Sequence, residues 1–391
     1  MRLTKNSLAW LQLKRKGMRL LAAISGISFA VILMFMQLGF QAALFDSAVL
    51  LHNSLRGDIF LLSPRSTALI AMKSFSERRL YQVLGVNNVE FITPIYLGFA
   101  QWKNPTNPLA WRNIHIIGFD TEYPVFDLPG VTSNVDKLDE PDVVLFDQAS
   151  RPEFGPVTTL LQTENTLKTE IDNMSDSTRQ VAIVGLFKLG TTFGIDGNLI
   201  TSHLNFLRIF SQRKKGLIEV GVIKLKSGTN AEQLKQELQQ YLPNDVNIFT
   251  KQEWIDFEKQ YWMTSTAIGF IFSLGVAMGV IVGIVVVYQI LYTDVSDHLK
   301  DYATLTTMGY RHRYFLSVIF QESLILACLG YIPGFLISSG LYTIAHQTTL
   351  LPIVMTQRRT WFVFLLTVFM CFLAGMIAVR KLQDVDPADI F

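Results

Sequence analysis

The sequence predicts an α-helical membrane protein with four transmembrane helices in a one-plus-three arrangement. A large α+β extracytoplasmic domain on a helical stalk separates the first helix from the other three. Composition supports this class, because 50% of the 391 residues are hydrophobic, only 17% are charged and the mean hydropathy is +0.30. Four apolar stretches, with a long and more polar stretch after the first, indicate the arrangement.

The four apolar stretches cover residues 20–44, 266–292, 316–345 and 360–379. About 20 apolar residues in a helix cross the hydrocarbon core of a bilayer, so each stretch predicts one span. The first contains no charged residue and is longer than the apolar run of a signal peptide. We therefore expect it to be an anchor that the protein retains.

Basic residues predict the orientation of the chain. The segment before the first span contains no acid and six basic residues, Arg2, Lys5, Lys14, Arg15, Lys16 and Arg19. The positive-inside rule then places both termini in the cytoplasm, with an amphipathic segment at 1–19, a loop at 293–315 and a tail at 380–391. The region after the first span and a short loop at 346–359 lie on the other side. We expect a multi-pass inner-membrane protein with a large periplasmic domain.

The two ends of the outer region share a heptad-like spacing of apolar residues. These are Leu44, Ala48, Leu51 and Leu55 after the first span, and Trp254, Phe257 and Tyr261 before the second. The spacing predicts that both spans continue as stalk helices, at 45–57 and 254–265, which pair with each other. A plain amphipathic turn at the membrane surface is the alternative, because few heptads are present.

Residues 58–253 have the mixed pattern of an α+β domain that is large enough for its own core. Runs with alternating or β-branched residues are separated by Pro, Gly, Asn and Asp, and they predict strands at 90–100, 113–119, 142–146 and 179–187. The clearest unit comes last and reads strand, helix, strand over 218–225, 229–242 and 245–250.

The sequence contains no recognisable catalytic or metal-binding motif. Its six histidines are scattered without a metal-ligand spacing, and the acidic run at 135–144 is better explained as a polar turn. Cys328 and Cys371 lie in apolar runs, which predicts small buried side chains. We expect neither an enzyme nor a resident cofactor or metal.

Nucleotide and nucleic acid are also not predicted as ligands of this chain. The dipeptide Gly-Lys is absent, so the sequence has no G-x-x-x-x-G-K-[ST] phosphate-binding loop. A net charge of +2 is too small to argue for nucleic acid. Work driven by a nucleotide would therefore be done by another polypeptide.

Small residues recur at helical spacing in two spans. Gly275, Gly279 and Gly283 form a stripe in the second span, and Gly330 and Gly334 have the same spacing in the third. Such stripes let helices approach backbone to backbone. Packing within one subunit and an interface between two copies are both open interpretations.

Two further residues of the third span stand out. Pro333 removes a backbone donor and should bend the helix. Glu322 is costly inside a membrane unless it is paired or close to the interface. We favour a structural pairing of Glu322 over proton transport, because the spans offer no second acid for a relay.

The loop between the second and third spans is polar and contains Tyr302, Leu305, Met308 and Gly309 at helical spacing. This spacing predicts a short amphipathic helix, although an ordinary connector would have the same pattern. The stretch LKDYATLTTMGYRHRYFLSVIFQESLILACLGYIPG, residues 299–334, resembles the signature of the FtsX/MacB permeases of type VII ABC transporters.

The resemblance rests on particular positions. The family pattern is R-E-I-G-L-L-R-A-I-G, followed in the next span by a glutamate eight residues before a glycine. The residues at matching positions are Lys300, Asp301, Leu305, Met308, Gly309, Glu322 and Gly330. The end RKLQDVDPADIF resembles the family's terminal D-P-A-x-x, whereas Tyr302, Ala303, Thr306 and Thr307 depart from the pattern. Within the family the chain is most similar to DevC-type permeases of cyanobacterial DevBCA exporters.

The resemblance implies a permease region at about 266–391, a second copy of the chain, and an ABC ATPase partner (DevA-like) that binds ATP and Mg. The segment that would dock on the ATPase contains Lys300, Asp301, Tyr302, Leu305, Met308, Gly309 and Tyr310. Further implied partners are a membrane fusion protein (DevB-like) and, indirectly, a TolC-like outer-membrane protein, with a lipid or glycolipid as cargo.

Two other functions fit the same sequence. A non-exporting relative would use the same motion to activate a peptidoglycan hydrolase or to release lipoproteins. A membrane receptor would bind a ligand in the outer domain and would have no ATPase partner.

Overall fold

A computed structural model describes residues 17–173, 178–297 and 312–383 of the chain. The fold divides into two compact units. One contains the four long helices except for a few residues at two of their ends, and the other contains residues 44–266 together with 349–352.

The long helices are α1 (Gly17–Ala48), α9 (Ala267–Asp297), α10 (His312–Thr349) and α11 (Gln357–Gln383). Each is long and apolar enough to cross a membrane, as the sequence predicts. Within the described residues these four are the only such helices, so the predicted one-plus-three arrangement is confirmed. Pro333 lies inside α10, which continues past it to Thr349.

The second unit is built around strands, with short helices on both faces. Its helices are α2 (Leu50–Ser54), α3 (Arg78–Gln82), α4 (Pro129–Thr132), α5 (Val157–Glu164), α6 (His203–Ile209), α7 (Ala231–Tyr241) and α8 (Lys251–Gln260). Its strands are β1 (Ile59–Leu62), β2 (Phe75–Ser76), β3 (Val89–Lys103), β4 (Trp111–Phe119), β5 (Val143–Asp147), β6 (Leu167–Asp172), β7 (Thr178–Phe187), β8 (Asn198–Ser202), β9 (Leu217–Ile218), β10 (Val220–Leu225) and β11 (Asn247–Thr250).

Nine strands form one sheet in the order β11-β1-β10-β3-β4-β8-β5-β7-β6. The first four strands in this order are antiparallel to their neighbours. Along the chain, α3 lies between β1 and β3, and α7 lies between β10 and β11, so the chain makes two β-α-β crossings. The remaining strands are inserted between β3 and β10. Strand β6 returns to pair with the far end of β3, which closes six strands into a ring.

The sheet separates two apolar cores. Along β1, Ile59 and Leu61 face the core under α3 and α7, whereas Phe60 and Leu62 face the core under α2 and α8. Every residue of β1 is therefore buried. Helix α2, which follows the first span directly, belongs to the second of these cores through Leu51.

The continuous stalk helices predicted at 45–57 and 254–265 are interrupted in the structure. The first helix breaks at Val49, where φ is −107° and ψ is 12°, and α2 ends at Ser54. On the return, α8 passes into a short π-helix (Tyr261–Ser265) and Thr266 is extended, with φ −120° and ψ 156°. Apolar spacing alone misses these breaks, because the spacing of side chains does not report backbone dihedral angles.

Candidate functional site

Helices α2 and α8, the first and last helices of the outer unit, pack against each other at the sheet. The ring centroids of His52 in α2 and Trp254 in α8 are 4.1 Å apart, and Trp254 also packs at 4.6 Å on Phe60 of β1. All three side chains are buried. The aromatic contacts join both helices to the same strand.

A buried pair of titratable side chains lies next to this contact. His52 Nε2 is 3.9 Å from Glu258 Oε2, and both side chains are almost fully enclosed. Glu258 Oε2 accepts a hydrogen bond from the Leu69 backbone N–H at 2.8 Å, and its Oε1 accepts one from Trp262 Nε1 at 3.0 Å. Sequence reasoning missed the pair, since His52 and Glu258 are far apart in the chain and neither belongs to a motif.

The protonation states of the pair follow from burial. Desolvation raises the pKa of Glu258 to about 7, although the two hydrogen bonds that it accepts act in the opposite direction. Desolvation, with a smaller contribution from the charge of Lys251, lowers the pKa of His52 to about 3. His52 is therefore neutral at physiological pH, and the contact is a buried polar junction between the helices rather than an ion pair.

Polar contacts also fix the start of α8. The Thr250 hydroxyl and the Glu253 carboxylate form a capping box, and Glu253 also pairs with Lys235 of α7. Lys251 Nζ donates to the backbone carbonyl oxygens of Asn53 and Leu55, at 3.1 and 2.7 Å. The last carbonyl groups of α2 thus find their partner on α8.

The predicted stalk residues lie at several places around this junction. Leu44, Ala48, Leu51, Leu55 and Trp254 are buried, whereas Phe257 and Tyr261 are half-buried. Leu55 forms a β-bridge with Phe126, and Phe257 packs on Phe249 of β11 at 5.3 Å. These residues therefore hold α2 and α8 to the domain, and the two helices do not form a free coiled coil.

The glycine stripe of α9 faces other spans of the same chain. A Cβ built on Gly275, Gly279 or Gly283 would meet side chains of Gln37, Met34 and Met370 respectively. At Gly279 it would also lie 3.6 Å from the Ala30 carbonyl oxygen, which shows how closely the backbones of α9 and α1 approach. The stripe thus packs against spans of the same subunit, and an interface between two copies stays a prediction.

The small residues of α10 have the same role against α1. A Cβ on Gly330 would lie 2.5 Å from Ile27 Cβ, and one on Gly334 would lie 2.8 Å from Val31 Cβ. The Ser28 hydroxyl of α1 donates to the Gly330 carbonyl oxygen at 2.8 Å. Glu322 is fully buried on α10, two turns before Gly330. Spans α1 and α10 are thus joined by close packing and by a hydrogen bond across the helices.

The predicted docking segment lies outside the described residues. Lys300, Asp301, Tyr302, Leu305, Met308, Gly309 and Tyr310 all fall there. The same is true of most of the predicted segment at 1–19 and the tail at 380–391. In the ranges that are described, no group of three or more His, Cys, Asp or Glu side chains is placed to hold a metal ion.

Comparison with known families identifies the chain. The family model of the MacB-like periplasmic core domain matches residues 20–241, more than half of the sequence. The chain belongs to the MacB/FtsX family of ABC permeases. A second model of that family, the FtsX-like permease C-terminal region, matches residues 270–387 and so covers the last three spans. Permeases of the MacB/FtsX family are membrane subunits that work with an ABC ATPase partner.

Two solved structures resemble the outer unit. One is the periplasmic region of MacB from Actinobacillus actinomycetemcomitans, at 14% identity and a TM-score of 0.35, with 55% of this chain and 95% of that chain covered. The other is the extracellular domain of the noncanonic ABC-type transporter YknZ from Gram-positive bacteria, at 14% identity and a TM-score of 0.33, with 49% and 99% covered. No curated protein matches the chain.

Proposed function

We propose that this chain is the permease subunit of an exporter and transmits ATP-driven motion of a separate ABC ATPase to its outer domain. The main support for the proposal is that one chain contains both a MacB-like domain and FtsX-like spans. ATP and Mg would be bound by the ATPase partner. No cofactor is assigned to this chain.

The junction of α2 and α8 supports a mechanical role. The chain enters the domain through α2 and leaves it through α8, and both helices are fixed to β1 by His52, Trp254 and Phe60. A displacement of α2 or α8 would therefore reach the sheet through packed side chains. Such transmission needs two alternative packings of which ATP favours one.

We assign the outer end of the pathway by family resemblance. The outer domain would engage a membrane fusion protein and, through it, a TolC-like outer-membrane channel, in a complex with two copies of the permease. The cargo would be a lipid or glycolipid, taken up from the outer side of the membrane. Co-purification with the detergent-extracted chain tests this assignment, because recovery of a peptidoglycan hydrolase in place of a fusion protein would indicate the non-exporting relative.

Asp301→Arg tests the ATPase contact. At this position of the family pattern an acid would face the ATPase, so charge reversal should reduce co-purification of the ATPase at least tenfold. We also expect loss of export, with normal insertion of the permease in the membrane. Repulsion between like charges across an interface costs enough free energy for this effect.

Asp136→Arg is the matched control, because it makes the same charge change at an exposed site in the outer domain. It should leave the amount of bound ATPase unchanged. An Asp301→Arg permease that binds the ATPase and exports at the normal rate would refute the docking assignment.

A further inference from the structure

The outer unit has an exposed apolar surface, and part of this surface belongs to residues that directly precede the second span in the sequence. Phe193 lies in the loop between β7 and β8 and is 56% exposed, and Met263 lies in the π-helix and is 51% exposed. The Phe193 ring packs edge-on against Trp262, with the ring centroids 5.9 Å apart. Phe193 and Met263 thus flank a buried tryptophan and form what we term the apolar tip.

The loop that presents Phe193 is held in one conformation. At its base the buried Asp147 carboxylate accepts hydrogen bonds from the backbone N–H groups of Leu189 and Gly190, at 3.1 and 2.9 Å. At its end Thr192 N–H donates to the Ile195 carbonyl oxygen at 2.9 Å. A large apolar side chain held out from a fixed turn gains free energy when an apolar environment covers it.

Gly194 adds to this constraint. A Cβ at this position would lie 2.8 Å from Ile70 Cγ2, so only glycine lets the turn sit this close to the 69–71 segment. That segment in turn donates the Leu69 N–H to Glu258. The position of Phe193 is therefore set by the same buried contacts that fix α8.

The chain limits the distance between the apolar tip and the bilayer. Trp262 is five residues before Ala267, where α9 begins, and five residues span about 8 Å in a helix and at most about 17 Å when extended. The headgroup region on each side of the hydrocarbon core is roughly 5–8 Å thick. The half-buried Tyr261, whose ring packs against that of Trp262, is also of a residue type that concentrates at this depth.

We propose that Phe193 and Met263 form a lipid-contact surface, which enters the headgroup region of the outer leaflet beside the second span. The occupant is phospholipid, because the chain keeps Trp262 of this surface within about 17 Å of the start of the second span, and the apolar side chains of Phe193 and Met263 are exposed there. The contact gives the outer domain a second attachment to the membrane besides the chain itself. It is independent of whether the protein docks on an ATPase.

Spin labelling of the full chain in phospholipid nanodiscs tests the proposal. A nitroxide is placed at Phe193→Cys after Cys328 and Cys371 are replaced by serine, with Leu109→Cys as the aqueous control and Phe270→Cys as the lipid control. Leu109 is 93% exposed in a loop of the outer unit, and Phe270 is 67% exposed on α9. Power saturation then compares collisions with oxygen, which dissolves in lipid, and with a water-soluble nickel chelate.

We expect the label at position 193 to favour oxygen over the nickel chelate severalfold more than the label at position 109 does. A label at 193 that behaves like the one at 109 would overturn the proposal. So would a label that neither reagent reaches, because this would show that a protein, such as a second copy or a periplasmic partner, covers the apolar tip.

A second measurement avoids the cysteine replacements. The photoreactive residue p-benzoylphenylalanine is placed at position 193 or 109 of the otherwise native chain in the same nanodiscs. Mass spectrometry after irradiation should find phospholipid adducts at 193 and at most a tenth as many at 109. Equal yields at the two positions, or protein adducts alone at 193, would contradict a lipid contact.

Discussion

Glu258 connects four parts of the outer unit through one carboxyl group. It contacts His52 of α2, accepts hydrogen bonds from Leu69 and Trp262, and belongs to α8 itself. A carboxylate in such a place would be costly unless it is protonated or fully hydrogen-bonded. Its pKa near 7 therefore couples the packing of the junction to pH in the physiological range.

Glu258→Gln should change how stability depends on pH. A carboxyl whose pKa is raised on folding contributes stability that is fully present below its unfolded pKa and is lost as pH rises through the folded value. For Glu258 this window runs from about 4.5 to about 7. Relative to Glu258→Gln, the wild type should therefore lose on the order of 2 kcal/mol between pH 5 and pH 8. Unfolding of the detergent-solubilised chain by denaturant at each pH measures the difference.

The titration of His52 does not change the difference in stability between the wild type and Glu258→Gln. Its pKa is lowered on folding, so its contribution is present above pH 6.5 and is lost as pH falls toward about 3, in the wild type and the variant alike. Glu237→Gln, at an exposed position of α7, is the matched control and should stay parallel to the wild type. A Glu258→Gln curve that is also parallel to the wild type would show that Glu258 stays ionised in the fold.

Individual helices and strands differ in how well the sequence predicts them. The length of the apolar stretches predicts the spans, and periodicity predicts α7 and α8. Alternating or β-branched runs predict six of the eleven strands that the structure describes, β3, β4, β5, β7, β10 and β11. Strands β1, β2, β6, β8 and β9 are missed. Every residue of β1 and β8 is buried, so no alternation remains to be read, and β2 and β9 have only two residues each. The breaks at Val49 and Thr266 and the junction of His52 with Glu258 depend on contacts between distant segments, which single-sequence patterns do not report.

Gly330→Ala tests the packing of α10 against α1. The new methyl group would lie 2.5 Å from Ile27 Cβ, which is attached directly to the backbone of α1 and cannot rotate away. The helices would have to separate, at a cost of about 1–3 kcal/mol. We expect a lower thermal unfolding midpoint, measured by fluorescence-detected size exclusion after heating in detergent.

Gly340→Ala is a control on the same helix. A Cβ at Gly340 meets no atom within 4 Å, and alanine is the better helix former. The thermal unfolding midpoint of Gly340→Ala should equal or slightly exceed that of the wild type. Equal losses at positions 330 and 340 would indicate that the close approach of α10 and α1 does not contribute to stability.

At the scale of the whole molecule, the outer unit has what an independent domain needs. The nine-stranded sheet, both apolar cores and the junction of α2 with α8 all lie within residues 44–266. A chain of this length buries enough apolar surface to fold on its own. Under the proposed function, the domain would move as one body when the spans are displaced.

A fragment of residues 44–266 should therefore fold in the absence of the spans. We expect a soluble protein with a cooperative unfolding transition, and with the same response of stability to pH at Glu258 as the full chain. A shorter fragment of residues 56–266 is the informative comparison, because it lacks α2 and so removes Leu51 and His52 from beside Trp254. Loss of these buried contacts should destabilise it by roughly 3–5 kcal/mol or leave it insoluble. Equal unfolding free energies for the two fragments would mean that α2 is an extension of the span and not a part of the domain, and motion would then enter the sheet through α8 alone.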